Sequence, residues 1–277
     1  MSDNGFYRAF EERYRGSREV IKERLRVYLP FILPFKEIYA ESKSIDLGCG
    51  RGEWLELMSE TGFVRPKGVD LDEQMLSACH ERGLSVEKTD AISMLQTLPD
   101  GSYAVISAFH VVEHIPFESL QTLIRESLRV LSPGGLLILE TPNPENIYVG
   151  TSNFYIDPTH QRPIPSQLLL FLAEYYGFAR VKHLGLNESG DLKSASSIRL
   201  ADVLFGVSPD YAIVAQKAAS PEQCQLFDQA FGVEYGLTLN GLAQQFDARL
   251  AKAERAEMRL DKLRETRTWR FLSWLLG

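Results

Sequence analysis

Ile45-Asp46-Leu47-Gly48-Cys49-Gly50-Arg51-Gly52-Glu53-Trp54 is the stretch from which the rest of this 277-residue chain is read. An apolar run, three glycines at alternate positions and then Glu and Trp describe a strand that turns sharply into a helix. Glycine permits the turn and lets a ligand approach the backbone without meeting a Cβ. The helix N-terminus behind it offers N–H groups to an anionic group. Twenty positions after Gly50, Asp70 closes a second strand-like run, placed to accept hydrogen bonds from two ribose hydroxyls. Asp90 closes a third, within reach of an adenine edge and beside the Ala91 N–H. A glycine loop and two acids at successive strand ends describe a bound nucleoside. The dinucleotide fingerprint puts glycines at its first, third and sixth positions, which here are Gly48, Gly50 and Glu53. Glu53 would set a bulky negative group beside a pyrophosphate. Asp46, before the loop, favours a ligand carrying an ammonium. A nucleoside with an amino-acid tail and no phosphate is S-adenosylmethionine.

Outward from the loop, strand-like runs alternate with helical ones. The strands are expected at Ser44–Leu47, Lys67–Asp70, Ser85–Thr89, Tyr103–Phe109, Leu136–Glu140, Ala179–Leu186 and Tyr211–Gln216. Helices are expected at Glu53–Glu60, Glu73–Arg82, Ala91–Leu95 and Phe117–Val130. This alternation predicts an α/β, Rossmann-like, seven-stranded and mostly parallel sheet with helices on both faces. Continuous apolar runs such as AVISAF and LLILE suit buried parallel strands. Residues 1–40 read as an N-terminal helical lid, 41–218 as the α/β domain and 219–277 as a helical extension. In the extension Leu239, Leu242, Phe246, Leu250, Ala253, Leu260 and Leu263 recur at helical spacing, the pattern of an amphipathic helix or a short coiled coil.

Composition bounds the rest. A net charge of −7 at pH 7 argues against wrapping nucleic acid. Cys49, Cys79 and Cys224 are odd in number and widely spaced, which fits neither a disulfide framework nor a zinc clamp and suits a reducing compartment. The polar N-terminus does not read as a signal peptide, and no apolar run approaches the ~20 residues of a membrane span. A cytoplasmic protein is expected. The basic, then aromatic and apolar end, Lys262 to Leu276, leaves open a docking helix at the inner membrane face, a homodimer seam, or a glycosyltransferase partner.

Taken together, IDLGCGRGEWL, GVDLDEQML, the Asp90-Ala91 pair, AFHVVEHI and RVLSPGGLLILETPNP resemble, in order, the motifs of class I S-adenosylmethionine-dependent methyltransferases. More narrowly, FYRAFEERYRGSREVIKERL and NPENIYVGTSNFYIDPTHQRPIP resemble methyltransferase domains of bacterial O-antigen and cell-surface polysaccharide biosynthesis, some of which end chain growth. The resemblance implies that Asp46, Gly48, Cys49, Gly50 and Gly52 hold the methionine part of the cofactor. It places Asp70 on the ribose, Leu71, Asp90 and Ala91 on the adenine, and Phe109 and His110 beneath. Tyr14 and Arg15 would lid the site. The implied reaction is O-methylation of a glycan or lipid-linked glycan. The alternatives are a small-molecule methyltransferase acting on a quinone-like or lipid acceptor, and a non-catalytic nucleoside-binding scaffold.

A sugar hydroxyl is a weak nucleophile and calls for a positioned base. Candidates are His160 foremost, then His114 and Asp157, with Tyr155 and Arg162 gripping the acceptor. His110-Val111-Val112-Glu113-His114 matches an inverted zinc-protease signature, but the strand before it and Pro116 after it leave no helix to carry both histidines on one face. No metal is therefore assigned, although a weakly held Mg²⁺ near Glu113 and His114 is an open variant.

Overall fold

The computed structural model describes residues 16–39, 41–63, 66–265 and 269. Seven strands form one sheet: β1 (Ser44–Leu47), β2 (Lys67–Asp70), β3 (Ser85–Lys88), β4 (Tyr103–Phe109), β5 (Leu131–Pro142), β6 (Arg180–Leu186) and β7 (Asp210–Gln216). Their order is β3-β2-β1-β4-β5-β7-β6. Every pairing from β3 across to β5 is parallel, while β7 runs antiparallel to both β5 and β6. The expected strands are all present. The largest difference is β5, which begins five residues earlier than the apolar run LLILE, at Leu131, with Pro133, Gly134 and Gly135 carried inside it. Tyr103 pairs with Leu131 there, and the register shifts before Val105 meets Leu136.

The helices of seven or more residues are α1 (Arg18–Leu25), α2 (Glu53–Glu60), α3 (Glu73–Glu81), α4 (Ala91–Thr97), α5 (Phe117–Val130), α6 (Ser166–Tyr176) and α7 (Leu239–Glu265). Asp72 and Asp90 cap α3 and α4, each accepting from two backbone N–H groups of the first turn. Apolar side chains of α4, α5 and α6 cover one face of the sheet, among them Leu95, Leu123, Ile124 and Leu169. The other face is covered by α1, the three short helical turns after it and α2, through Leu25, Tyr28, Phe31, Phe35, Trp54 and Met58. β7 serves both cores: Tyr211, Ile213 and Ala215 point one way, Ala212 and Val214 the other.

The extension does not behave as one uniform seam. Leu242 of α7 is buried against Ile198, Val203 and Val207, with Phe246 packed beside them. Further along, Leu250, Met258, Leu260 and Leu263 stand exposed. Two alanines and alternating charges thin the apolar stripe there, and a coiled coil is not supported. Among the described residues, no helix is long and apolar enough to cross a membrane.

Candidate active site

β1 ends into a loop whose glycines all lie in the left-handed region: Gly48 at φ 74°, Gly50 at 50° and Gly52 at 79°. Gly48 N and Cys49 N both donate to Val69 O, at 2.8 and 2.9 Å, which ties the loop to β2. The glycines differ in their surroundings. A Cβ on Gly48 would collide with Val111 Cγ2 and one on Gly52 would lie 2.5 Å from Leu84 Cδ1, whereas nothing stands within 4 Å of the Cβ position of Gly50. Gly50 thus presents bare backbone to open space. Asp46 lies buried beneath the loop and accepts a hydrogen bond from Ser107 Oγ at 2.7 Å. Burial pushes its carboxyl up to about 8; Ser107 counteracts this, and the charges of Asp70 and Glu53 add to it.

Beside the loop opens a cavity of about 460 Å³. Asp46, Gly48, Cys49, Gly50, Arg51, Glu53 and Trp54 line one part of it; Phe109, His110, Glu140, Asn187 and Asp210 line another. α1 supplies Ile21, Arg24 and Leu25, and the segment after β5 supplies Tyr148, Asn153, Ile156, Asp157 and His160. α1 is held over the loop by Arg18, which donates to Arg51 O (2.5 Å) and lies 3.4 Å from Glu53 and 2.9 Å from Glu56. Arg51 Nε reaches Glu53 at 2.9 Å as well, so the acid that displaces a third glycine is neutralised from two sides.

His110 sits at φ 55°, rare for a side chain with a Cβ. Its Nδ1 lies 3.3 Å from Glu113 and its Nε2 3.5 Å from Glu140, and the Tyr28 hydroxyl donates to the other Glu140 oxygen. Burial alone would favour the neutral ring, but Glu113, Glu140 and the charge of Asp210 carry it up to about 10. His110 is a fixed cation at neutral pH. Glu113, fully buried, would be raised by its surroundings yet is held below the usual carboxylate range by His110.

His160 Nδ1 lies 2.6 Å from the Phe154 carbonyl. A carbonyl can only accept, so Nδ1 carries a proton, and Nε2 is the ring nitrogen on the side of Asp157 Oδ2, 3.9 Å away. Asp157 receives the Thr159 hydroxyl at 2.6 Å, which leaves Thr159 Oγ1 to accept from His114 Nδ1 at 2.9 Å. Gln161 fastens this loop to the turn after β4 by donating to the carbonyls of Glu113 and His114.

Of the residues expected from sequence, the cavity gathers Asp46, Gly48, Cys49, Gly50, Phe109, His110, Asp157 and His160. Gly52 lies behind the loop against Leu84 and Cys79. Asp70, Leu71, Asp90 and Ala91 stand on the other side of the glycine loop, along the ends of β2 and β3. Asp70 accepts from Gly50 N and from Asp72 N, both at 2.9 Å, while Leu71 is 65% exposed. His114 is in ring contact with His160, 4.6 Å between centroids, and is not in the cavity wall. Tyr155 is exposed, and Arg162 is drawn aside to lie over the Phe117 ring at 4.7 Å. The two residues expected to grip the acceptor are therefore outside the cavity. Tyr14 and Arg15 lie outside the described residues. Sequence reasoning did not single out Tyr28, Glu140, Asn187 or Asp210. An acid at the end of the apolar run LLILE was the available signal for Glu140; Asn187 and Asp210 gave none.

A sequence-family profile described as "Methyltransferase domain" matches residues 15–183. The chain belongs to this family. The methyltransferase is 37% identical to a SAM-dependent methyltransferase from Archaeoglobus fulgidus of known crystal structure, covering 76% of this chain and 100% of that one with a TM-score of 0.68. It is 30% identical over 122 residues to the 27-O-demethylrifamycin SV methyltransferase of Amycolatopsis mediterranei (strain S699), 42% of this chain and 43% of that protein. It is 31% identical over 110 residues to the ubiquinone biosynthesis O-methyltransferase of Pseudomonas fluorescens (strain SBW25), 38% of this chain and 46% of that one. The chain spans about half the length of the curated relatives it matches. The methyltransferase uses S-adenosylmethionine, as family and structural likeness both imply.

Proposed function

We propose that this methyltransferase transfers a methyl group to a hydroxyl of a small acceptor with an apolar body, quinone-like or lipid. The observation that carries this reading is a cavity of mixed lining in which Ile21, Leu25, Tyr148 and Ile156 share the space with His160. Tyr148 and Ile156 line it together with His160, whose Nδ1 is held by the Phe154 carbonyl. The relatives named for rifamycin and ubiquinone chemistry support the same class. The glycan acceptor implied by the narrower resemblance loses its two gripping residues, since Tyr155 faces solvent and Arg162 packs on Phe117.

S-adenosylmethionine supplies a methyl group already activated on a sulfonium. The residues present fit its shape and charge: Gly50 leaves an open cradle, and buried Asp46 is a carboxyl whose ionisation a nearby ammonium would favour. In this reading Gly48, Cys49, Gly50 and Gly52 shape the bed of the methionine part. Asp70 and the capped turn at Asp90-Ala91 bracket the nucleoside, with Leu71 against its base. Phe109 and His110 floor the site, and α1 roofs it and keeps water out. His160 takes the acceptor proton at Nε2, held in the right tautomer by the Phe154 carbonyl, and the Asp157 carboxylate nearby favours the imidazolium that results.

The test is transfer of labelled methyl to a panel of hydroxylated aromatics, prenylated phenols and oligosaccharides. Transfer to the apolar phenols, with kcat reduced about 10²–10⁴-fold in His160→Ala, is expected. Transfer to the oligosaccharides alone would return the glycan reading.

A further inference from the structure

Asn187 and Asp210 line the cavity and take no part in the methyl transfer. β7 runs antiparallel, so its first residue, Asp210, stands at the same sheet edge as the last residues of β5 and β6. Leu186 pairs with Asp210, and the next residue, Asn187, donates from Nδ2 to Asp210 Oδ2 at 2.8 Å. Both side chains line the cavity. Among the described residues, His110 and Asn187 are the two non-glycine residues in the left-handed region, and both belong to the cavity wall. Such conformations persist where the surroundings enforce them.

The charges around Asp210 say what this pair can take. Glu140 faces it from β5, His110 from the end of β4, and Arg24 from α1. The His110 ring lies between Glu113 and Glu140, within ion-pair distance of both, and Tyr28 occupies the remaining Glu140 oxygen. The cation and its carboxylates are matched among themselves. Beside the Arg24 guanidinium, what is left for a ligand is one carboxylate and one amide, side by side: an acceptor and a donor at hydrogen-bond spacing, suited to a hydroxyl.

We infer that Asn187 and Asp210 form a specificity subsite for a second hydroxyl of the acceptor, remote from the one that is methylated. The hydroxyl donates to Asp210 and accepts from the Asn187 amide. The inference rests on the small-acceptor reading and adds that monohydroxylated analogues are the poorer ligands. His110, Glu140 and Tyr28 hold the wall that presents the pair.

Calorimetry on the full chain saturated with S-adenosylhomocysteine tests it, with 1-naphthol and 1,5-dihydroxynaphthalene as probes differing by one distant hydroxyl. The diol should bind about tenfold more tightly, as one or two net hydrogen bonds allow. In Asp210→Asn that advantage should fall below about twofold with 1-naphthol unchanged. Asn187→Gly is the second variant, because glycine occupies φ 64° without strain and the fold is kept while the amide is lost. If S-adenosylhomocysteine itself gives no heat, the methyltransferase reading of the site fails. If it binds but the two probes bind alike or not at all, the subsite is overturned and that reading stands. Loss of the diol's advantage on adding EDTA, restored by Mg²⁺, would overturn it in favour of a cation at His110, Glu140 and Asp210.

Discussion

Gly48 and Gly50 share a backbone handedness and differ in what surrounds them. Alanine in the left-handed region costs about 1–2 kcal/mol. Gly48→Ala adds a collision with Val111, whereas Gly50→Ala meets nothing. Thermal denaturation should therefore show Gly48→Ala to be clearly the less stable variant. Gly50→Ala should keep most of its stability and instead lose affinity for S-adenosylhomocysteine, since the new methyl fills the open cradle. Equal melting temperatures would contradict the packing described. At Asp46 the same reasoning concerns a proton. A carboxyl pushed up to about 8 is largely protonated at pH 7, and an arriving ammonium favours its ionisation. Cofactor binding at pH 7 should release protons, seen as a dependence of the heat on buffer ionisation enthalpy, and Asp46→Asn should abolish that release.

The elements show which features a linear reading reaches. Strand and helix positions were legible because the central strands β4 and β5 carry continuous apolar runs and the helices α3 and α4 are capped by Asp72 and Asp90. The early start of β5 was not, because Pro133 and two glycines punctuate it and pairing with β4 overrides that local signal. α1 was legible as a helix and as part of a lid, but the contacts that hold it were not. Its placement depends on Arg18 reaching Arg51 O, Glu53 and Glu56. With both Arg18 and Glu53 largely shielded from solvent, Arg18→Ala should cost about 1.5–3 kcal/mol, the range for a hydrogen bond to a charged group. Hydrogen exchange over residues 18–25 should rise in that variant. Unchanged protection there would show that α1 is held by its apolar face alone.

Over the whole molecule, buried titrations set a direction for stability against pH. Asp46 stays protonated in the folded chain up to about 8, though a free carboxyl ionises near 4. Between those values the folded state binds the extra proton, so stability falls as pH rises. His110, raised to about 10, contributes stability that is complete below the ordinary histidine range and is lost as pH climbs through 10. Both act in one sense. The ligand-free protein should melt at a higher temperature at pH 6 than at pH 9, and Asp46→Asn with His110→Gln should flatten the difference. A wild-type melting temperature that rises over this interval would refute it.

By itself the sequence determined the alternating α/β order, the glycine loop and its acids, and the cofactor, because each strand end carries a local mark and successive strand ends of a parallel sheet fall at one edge. Only the tertiary structure decided which side chains share the acceptor cavity. His110, Glu140, Asn187 and Asp210 come from the ends of four strands, and Asp210 joins them because β7 runs against its neighbours. Strand direction is fixed by how a strand packs between two others and leaves no local mark. That is also why Arg162, suited by composition to grip an acceptor, is found stacked on Phe117 instead.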